Sequence, residues 1–520
     1  MPCGAASYGA QMSIASLRCC ERVTARLEAP LSGREGSNGP AGGPQEGRRR
    51  AAGTGSTSGA PAGAISGRVD IGSRPGGSYD PLAMAQPGID HRDYVMRIAK
   101  QREVRYVRMW FVDVLGLLKS VAIPVSELEG ALDDGVGIDG SSLEGSARLA
   151  ERDVIAHPDP TTFQILPWRP EGAVARMFCD VRFPDEQPFP GDSRYALRRV
   201  LGQAAELGFT FLVGCEVEFF VFAEPRDEGP PRPLDHGAYL DQTTLDVGSD
   251  FRKLTIDYLE QMGIPVKSSH HEDGPSQHEI DLQHMDALSM ADAVTTFRVT
   301  VKQAARELGG HATFMPQPLE DQPGSGMHVH MSLFSAEGNV FHSPDPGEPL
   351  SELGRAFLAG VLAHGREIAA VTNQWVNSYT RLAIGYEAPA HVGWTRHGRS
   401  GLVRVPSRRP GREAGARIEL RSPDPACNPY LTFAIVLAAG LRGIERGYEL
   451  GPEEEDPPRA PVLLPEDLRE ATDLFASSEL VHDTFGPRLR EWYVRNKRRE
   501  WSQFRQTVSA FERRRYLGLL

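Results

Sequence analysis

The sequence is poor in cysteine. Six occur in 520 residues: Cys3, Cys19 and Cys20 in an N-terminal stretch of unusual composition, and Cys179, Cys215 and Cys427 far apart. No Cys-x-x-Cys pair exists, which excludes a disulfide framework and a thiolate metal site and makes a reducing cytoplasm the expected compartment. Long apolar runs are missing too. None approaches the ~20 residues of a membrane span, so no membrane partner is expected. Positive charge is in deficit, with 57 Lys+Arg against 69 Asp+Glu and a net charge of −12. The basic excess that binds nucleic-acid phosphates is therefore absent, and no nucleic-acid partner is expected. There is also no G-x-x-x-x-G-K-[ST] loop, no G-x-G-x-x-G after a strand and no protein-kinase motif set. A nucleotide site in this chain belongs to some other architecture.

What is present is ordinary for a globular protein: 40% hydrophobic and 24% charged residues. The length allows two to four domains at about 100–200 residues each. Residues 1–83 are rich in Gly, Ala, Ser, Pro and Arg, without hydrophobic periodicity. Such a segment cannot bury enough apolar surface to offset its ordering entropy. It reads as a disordered or non-native extension, with Met84 as the natural start; its acidic residues and lack of an apolar core fit neither a transit nor a secretory peptide.

From residue 89 the pattern changes. The spacing predicts a helix over 89–103 and a strand over 104–113, followed by LLKSVAIP, a turn-rich stretch containing Asp139, and the strands TFQILPW and ARMFCDV. This is a small α+β domain over 89–184, closed by the Pro-rich linker Pro184–Gly191. A larger domain over 191–520 follows. Its helices are expected from Asp192 or Ser193 to Gly208, from Asp250 to Gly263, over 287–308, and through the charged segment 466–517. Between them lie the strands FLVGCEVEFFVF, HEIDLQ, HATFMPQP, GMHVHMSLF, LVRVPS and ARIELRS.

Several of these strands carry charge where a core strand should not. Side chains alternate with period two, so Glu216 and Glu218 share one face while Val217 and Phe219 share the other. Two neighbouring carboxylates on an apolar strand need a cation, arginines or protons to neutralise them. A solvent-facing edge would explain one such pair. But His328 and His330 also share a face, as do Arg417, Glu419 and Arg421, and His271-Glu272 comes just before Glu279. Carboxylates with an imidazole suit Mg²⁺ or Mn²⁺. Arg381, Arg399, Arg404, Arg417 and Arg421 crowd one short region, which also holds Asn377-Ser-Tyr-Thr-Arg381 and Gly385-Tyr-Glu387-Ala-Pro389. Guanidinium forks match phosphates and carboxylates, so the combination points to phosphoryl transfer.

Taken together, IDGSS (138–142), CEVEFF (215–220), HHEDGPSQHEI (270–280), PGSGMHVHMSL (323–333), NSYTRL with GYEAP (377–389), GRSGLVRVP (398–406) and ARIELRSPDPACNPYL (416–431) resemble the type I glutamine synthetase family over roughly residues 90–520. Within the family the chain also looks close to actinobacterial paralogues that include γ-glutamylpolyamine synthetases. The resemblance implies an N-terminal β-grasp domain and a large catalytic domain with a curved antiparallel sheet and helices, in a homo-oligomer, usually a dodecamer. It implies one metal on Glu218, Glu272 and Glu279 and a second on Glu216, His328 and Glu419. Gly324, Arg381 and Arg421 would hold L-glutamate. Arg399 would stabilise the phosphoryl group in transfer, Arg404 and Arg417 would bind the ATP phosphates, and His330 and Ser332 would lie near the adenosine. Glu387 would sit on a closing flap. Asp139, supplied by a neighbouring subunit, would form the ammonium pocket with Tyr239 and Ser142. The implied activity is an ATP-dependent ligase joining ammonia or a small amine to the γ-carboxylate of glutamate through γ-glutamyl phosphate.

The chain departs from the family pattern at Pro323, where Asn is common; at Lys267, where a Glu near the nucleotide is common; and at Ala414, where a Lys is common. Ammonia and a polyamine or other amine therefore both stand as acceptors. A catalytically inactive homologue is a third reading, against which the retained carboxylates, imidazole and arginines argue. The tyrosine segment that carries adenylylation in some members has no counterpart around 447–465, which is acidic and Pro-rich. Intact-mass measurement of the native protein should show no adenylyl adduct; an adenylylated tyrosine would overturn that reading.

Overall fold

The computed structural model describes residues 91–520 apart from 146–151, 170–171, 224–228, 243–246, 346, 384–387, 399–400, 410 and 455–459. The expectation for residues 1–83 lies outside the described residues. The first sheet is built by β1 (Tyr106–Val112), β2 (Leu118–Pro124), β3 (Val136–Asp139), β4 (Asp153–Pro158), β5 (Gln164–Ile165) and β6 (Val174–Arg182), in the order β2-β1-β6-β4-β3 with β5 on β6. The β1–β6 pair is parallel and the others are antiparallel. Helices α1 (His91–Gln101) and α2 (Leu128–Asp134) cover its inner face, and Val95, Val107, Met109, Leu128, Ala175 and Met177 form a core of their own. The turn-rich stretch expected around Asp139 thus contains α2 and β3. TFQILPW forms only the two-residue β5, because Pro160 and Pro167 bracket it and remove ladder donors.

The second sheet has eleven strands: β7 (Thr210–Phe222), β8 (Val266–His271), β9 (Gln277–Leu282), β10 (Met285–Asp286), β11 (His311–Thr313), β12 (Met327–Ser335), β13 (Gly338–Asn339), β14 (His391–Thr395), β15 (Gly401–Arg404), β16 (Ile418–Leu420) and β17 (Val462–Leu463). Its main path is β17-β14-β15-β16-β12-β7-β9-β8. Pairing is antiparallel except between β14 and β15. Several expected strands are shorter than their hydrophobic pattern. HATFMPQP pairs only over His311–Thr313 because Pro316 and Pro318 follow, and ARIELRS only over Ile418–Leu420.

Helices α3 (Ser193–Glu206), α4 (Val247–Gln261), α5 (Ala287–Glu307), α6 (Glu352–Ala363), α7 (Gly365–Thr372), α8 (Val376–Arg381), α9 (Pro429–Arg446), α10 (Leu468–Ser477), α11 (Glu479–Arg505) and α12 (Ala510–Tyr516) complete the fold. Asp192 is the N-cap of α3, accepting from the Arg194 amide at 2.9 Å. Val217 and Phe219 are fully buried beneath β7, and the Phe219 ring meets Phe251, Phe297 and Phe314 at 5.8–6.0 Å. That apolar face fixes which side of β7 is left for the carboxylates. No described helix is long and apolar enough to cross a membrane.

Two polar contacts stand out among those that tie the sheets together. The β1–β2 turn approaches the N-terminus of α9 so closely that a Cβ on Gly116 (φ +77°) would lie 2.8 Å from the Asn428 Cα, so glycine is required. Asn428 Nδ2 donates to the Asp113 carbonyl at 3.2 Å, and Gln374 Nε2 to the Leu115 carbonyl at 2.7 Å. The second contact centres on Arg194 of α3, which is buried and pairs with Asp159 (2.8 Å) and Asp180 (2.5 Å) beside the first sheet and with Asp292 (3.0 Å) of α5. Tyr430 Oη donates to Asp292 at 2.6 Å. Removing the guanidinium leaves Asp292 buried without it, while Asp159 and Asp180 keep Arg198 at 2.9 and 3.2 Å; a buried charge left uncompensated costs about 3–5 kcal/mol. Arg194→Ala should therefore lower the melting temperature markedly. Arg92→Ala, which breaks an exposed pairing with Glu129 and Asp133, should leave it unmoved. Equal melting temperatures for the two variants would refute the assignment.

Candidate active site

Strand register assembles the site. Glu216 of β7 stands opposite His328 of β12, and Glu218 opposite Glu279 of β9. Glu419 of β16 stands opposite His330 of β12 and Arg404 of β15, and His270 of β8 opposite Glu279. Alternation does the rest: along β12, Met327, Val329, Met331 and Leu333 are buried while His328, His330 and Ser332 face the other way. The result is a cavity of about 350 Å³ lined by all six carboxylate and imidazole residues singled out as metal ligands, together with Tyr239, Gly324, Arg381, Arg404 and Arg421.

The polar contacts are dense. Glu218 Oε2 accepts from the Gly326 amide at 3.0 Å and from Gln277 Nε2 at 2.9 Å. Arg404 grips Glu419 through Nε at 2.7 Å and Nη2 at 2.5 Å, and Arg421 Nε lies 3.5 Å from the same carboxylate. Glu216 meets His330 Nε2 at 2.9 Å, and Arg417 Nε reaches His330 Nδ1 at 3.2 Å. Arg381 is buried and donates to the Ser422 carbonyl at 2.7 Å. Gly324 and Gly326 make room for it: a Cβ would lie 2.9 Å from Arg381 Cγ at the first and 2.5 Å from Arg381 Nη2 at the second.

Charge is unevenly balanced across the cavity. On one side burial, reinforced by repulsion from Glu272, pushes the Glu218 carboxyl up to about 8. Burial, then the Glu218 charge, likewise drives Glu279 well above the usual range. On the other side burial is outweighed by neighbours: hydrogen bonds from His328 and His330 hold Glu216 far below its ordinary value, and the two imidazoles with Arg404 lower Glu419. Carboxylates thus outnumber cations around Glu218, Glu272 and Glu279. The donors there are hard oxygens with an imidazole alongside, a set that fits a divalent cation such as Mg²⁺ or Mn²⁺.

The groupings within the cavity differ from the expected sets. The donors that approach one another most closely are Glu216, His330 and Glu419, and His270, Glu272 and Glu279. His328 Nδ1 lies 3.6 Å from both Glu216 and Glu419. His270, 2.6 Å from Glu272, is a participant that sequence reading did not single out, as is Gln277. Period two places His270 and Glu272 on one face, but which face meets the cavity follows from the pairing of His270 with Glu279. The same rule turns His271 away from the cavity. It is buried behind the sheet, bonded to Asp235 at 2.8 Å, so its grouping with the cavity-facing residues does not hold.

Asp139 and Ser142 are not among the lining residues. Asp139 ends β3, and its carboxylate accepts from the Ser141 amide and hydroxyl (2.9 and 2.8 Å) and the Arg152 amide (3.1 Å). Ser332 lies on the His328–His330 face, beyond His330. Glu387 and Arg399 lie outside the described residues, although Ala388, His397 and Gly398 beside them line the cavity.

A curled sheet presenting carboxylates and guanidinium groups to one cavity, with a separate small sheet domain before it, defines a class of phosphate-handling enzymes. Comparison with known proteins identifies which one. The family "Glutamine synthetase, catalytic domain" matches residues 190–516, and "Glutamine synthetase, beta-Grasp domain" matches 103–184. A glutamine synthetase of Mycolicibacterium smegmatis is 51% identical over 442 residues, covering 82% of this chain and 99% of that protein. One from Methanosarcina mazei is 44% identical, with 82% and 98% covered. A solved structure titled "GmaS/ADP complex-Conformation 1" has a TM-score of 0.74 at 30% identity, covering 82% of this chain and 99% of its own. The chain belongs to the glutamine synthetase family. It is an ATP-dependent glutamate ligase with a β-grasp N-terminal domain.

The charge imbalance has a consequence for metal binding. Raised carboxyls hold protons that a cation must displace, so binding releases protons and weakens as pH falls. Without metal, Glu218 stays protonated up to about 8 when folded. In the unfolded chain it ionises near ~4.3, so metal-free stability declines as pH rises between those values. Added Mn²⁺ should therefore raise the melting temperature more at about pH 8 than at about pH 6, and a shift independent of pH would count against these carboxylates as ligands.

Proposed function

We propose that the chain joins ammonia to the γ-carboxylate of L-glutamate through γ-glutamyl phosphate, as a glutamine synthetase. The observation that carries this is the convergence of Glu216, Glu218, Glu272, Glu279, His328 and Glu419 on one cavity shared with Arg381, Arg404 and Arg421. In this reading Glu218, Glu272 and Glu279 hold one Mg²⁺ or Mn²⁺, and Glu216, His328 and Glu419 a second. When bound, the cations would neutralise charge on the transferring phosphoryl group. Gly324, Arg381 and Arg421 orient glutamate. Arg404 and Arg417 take the ATP phosphates, with His330 and Ser332 toward the adenosine; the similar structure titled as an ADP complex supports a nucleotide here.

A carboxylate is a poor electrophile, so its oxygen first attacks the γ-phosphorus and the bond to ADP breaks. Arg399 stabilises the phosphoryl group as it moves. Asp139 with Tyr239 and Ser142 gathers the ammonium and accepts its proton. The amine then attacks the acyl carbon and phosphate leaves. Glu387 closes over the intermediate and excludes water. Asp139 and Ser142 do not line their own chain's cavity, so the reading has a neighbouring subunit supply them, in a homo-oligomer such as a dodecamer. The C-terminus supports association: residues 502–520 are all exposed, among them Phe504, Val508, Phe511, Leu517, Leu519 and Leu520. The three described cysteines are free and buried, which suits the cytoplasm.

A γ-glutamyl-amine ligase acting on a polyamine or other small amine is the second reading. It is favoured by Pro323, which lines the cavity next to Gly324. Phosphate release measured with glutamate, ATP, Mg²⁺ and a panel of amines separates the two. Turnover with ammonia alone supports the first reading, and turnover with polyamines alone would replace it with the second. Glu279→Ala should abolish turnover with every acceptor, and a variant that retains full ATP turnover would sink the metal assignment.

A further inference from the structure

The segment that brings Tyr239 to the cavity is anchored from behind. Consecutive residues of β8 face opposite ways: His270 toward the cavity, where its ring meets Tyr239 edge-on at 5.4 Å, and His271 into the protein. Both His271 ring nitrogens are engaged. Nε2 lies 2.8 Å from Asp235 Oδ1 and Nδ1 lies 2.6 Å from the carbonyl of Glu272, a cavity-lining residue. Asp235 Oδ1 also accepts from the Ser276 amide at 3.0 Å. Ser276, held in the left-handed region (φ 59°), accepts through Oγ from the Leu234 and Asp235 amides at 2.6 and 2.9 Å. The Leu240 amide donates to the His271 carbonyl at 3.0 Å. The segment packs so tightly on the imidazole that a Cβ on Gly237 would lie 2.7 Å from His271 Nε2.

We propose that Asp235 and His271 are a positioning pair that sets the Tyr239 segment against the acceptor side of the cavity and so tunes recognition of the ammonium or small-amine substrate. The inference rests on the ligase reading above. Its physical basis is the division of labour on β8. One imidazole supports the substrate-facing surface of Tyr239; its neighbour's imidazole holds Asp235, four residues before that tyrosine, and its backbone carbonyl takes the Leu240 amide, one residue after. Displacing the anchor moves Tyr239 while leaving Arg381, Arg404 and Arg421 on their own elements.

The test is steady-state kinetics of phosphate release with acceptor amine, glutamate and ATP varied in turn. Asp235→Ala should raise the acceptor KM on the order of tenfold while leaving the glutamate and ATP KM values within about twofold. Asp235→Asn, which keeps the shape and one acceptor oxygen, should restore most of the loss. Gly237→Ala, which pushes the segment off the imidazole without removing the pair, should reproduce it. In a Tyr239→Ala background, Asp235→Ala should add little, because both act through the same side chain. An unchanged acceptor KM in Asp235→Ala and Gly237→Ala would overturn the proposal, as would a rise in all three KM values together with a lower melting temperature. A wild-type protein inactive with every amine would instead overturn the ligase reading itself, a distinguishable failure.

Discussion

The structure depends on the register in which β7 pairs with its two neighbours. Glu216 and Glu218 alternate with Val217 and Phe219, so a slip of one residue would bury both carboxylates among phenylalanines and turn the apolar side chains to the cavity. The aromatic cluster beneath Phe219 forbids that slip. In the register observed, Glu216 pairs with His328 and Glu218 with Glu279. The apolar face is therefore as much a part of the site as the charged one.

Gathering carboxylates in this way has an electrostatic cost that is met differently on the two sides of the cavity. Around Glu216 and Glu419 the chain supplies its own cations, His328, His330 and Arg404. Around Glu218 and Glu279, Arg381, Arg421 and His270 only partly offset burial and the neighbouring carboxylates, and both carboxyls are pushed up. Carboxyls raised in this way must lose their protons before a cation can bind, which makes metal binding depend on pH.

The small N-terminal sheet is attached both by apolar packing, with Trp110, Val112, Leu166 and Phe178 in the core of the larger domain, and by buried polar contacts. Arg194 bridges Asp159 and Asp180 to Asp292, and Asn428 closes on the turn at Gly116. Charged pairs of this kind specify orientation, since the geometry that satisfies all the carboxylates is narrow. That orientation determines where Asp139, at the end of β3, is presented. It is not among the residues that line the cavity of its own chain.

Much of this was legible in the sequence. Period two in β7 and β12 placed Glu216 and Glu218, and His328 and His330, on shared faces, and Asp192 and Gly208 marked the ends of α3. Those features are local, decided by backbone geometry within a few residues. The two-residue β5 and the short β11 and β16 were over-read, because a hydrophobic pattern does not reveal whether a neighbouring strand is in reach. His270 was overlooked and His271 misplaced for a related reason: which of two adjacent histidines faces the cavity depends on the pairing of β8 with β9. The amino-acid sequence by itself determined the chemical inventory and the alternation of faces, since both follow from residue type and the pleat of a strand. Only the tertiary structure decided which distant carboxylates share one cavity, which of them are only partly offset by counter-charge, and that Asp139 lies outside its own chain's site, because these depend on strand order and burial that no local pattern encodes.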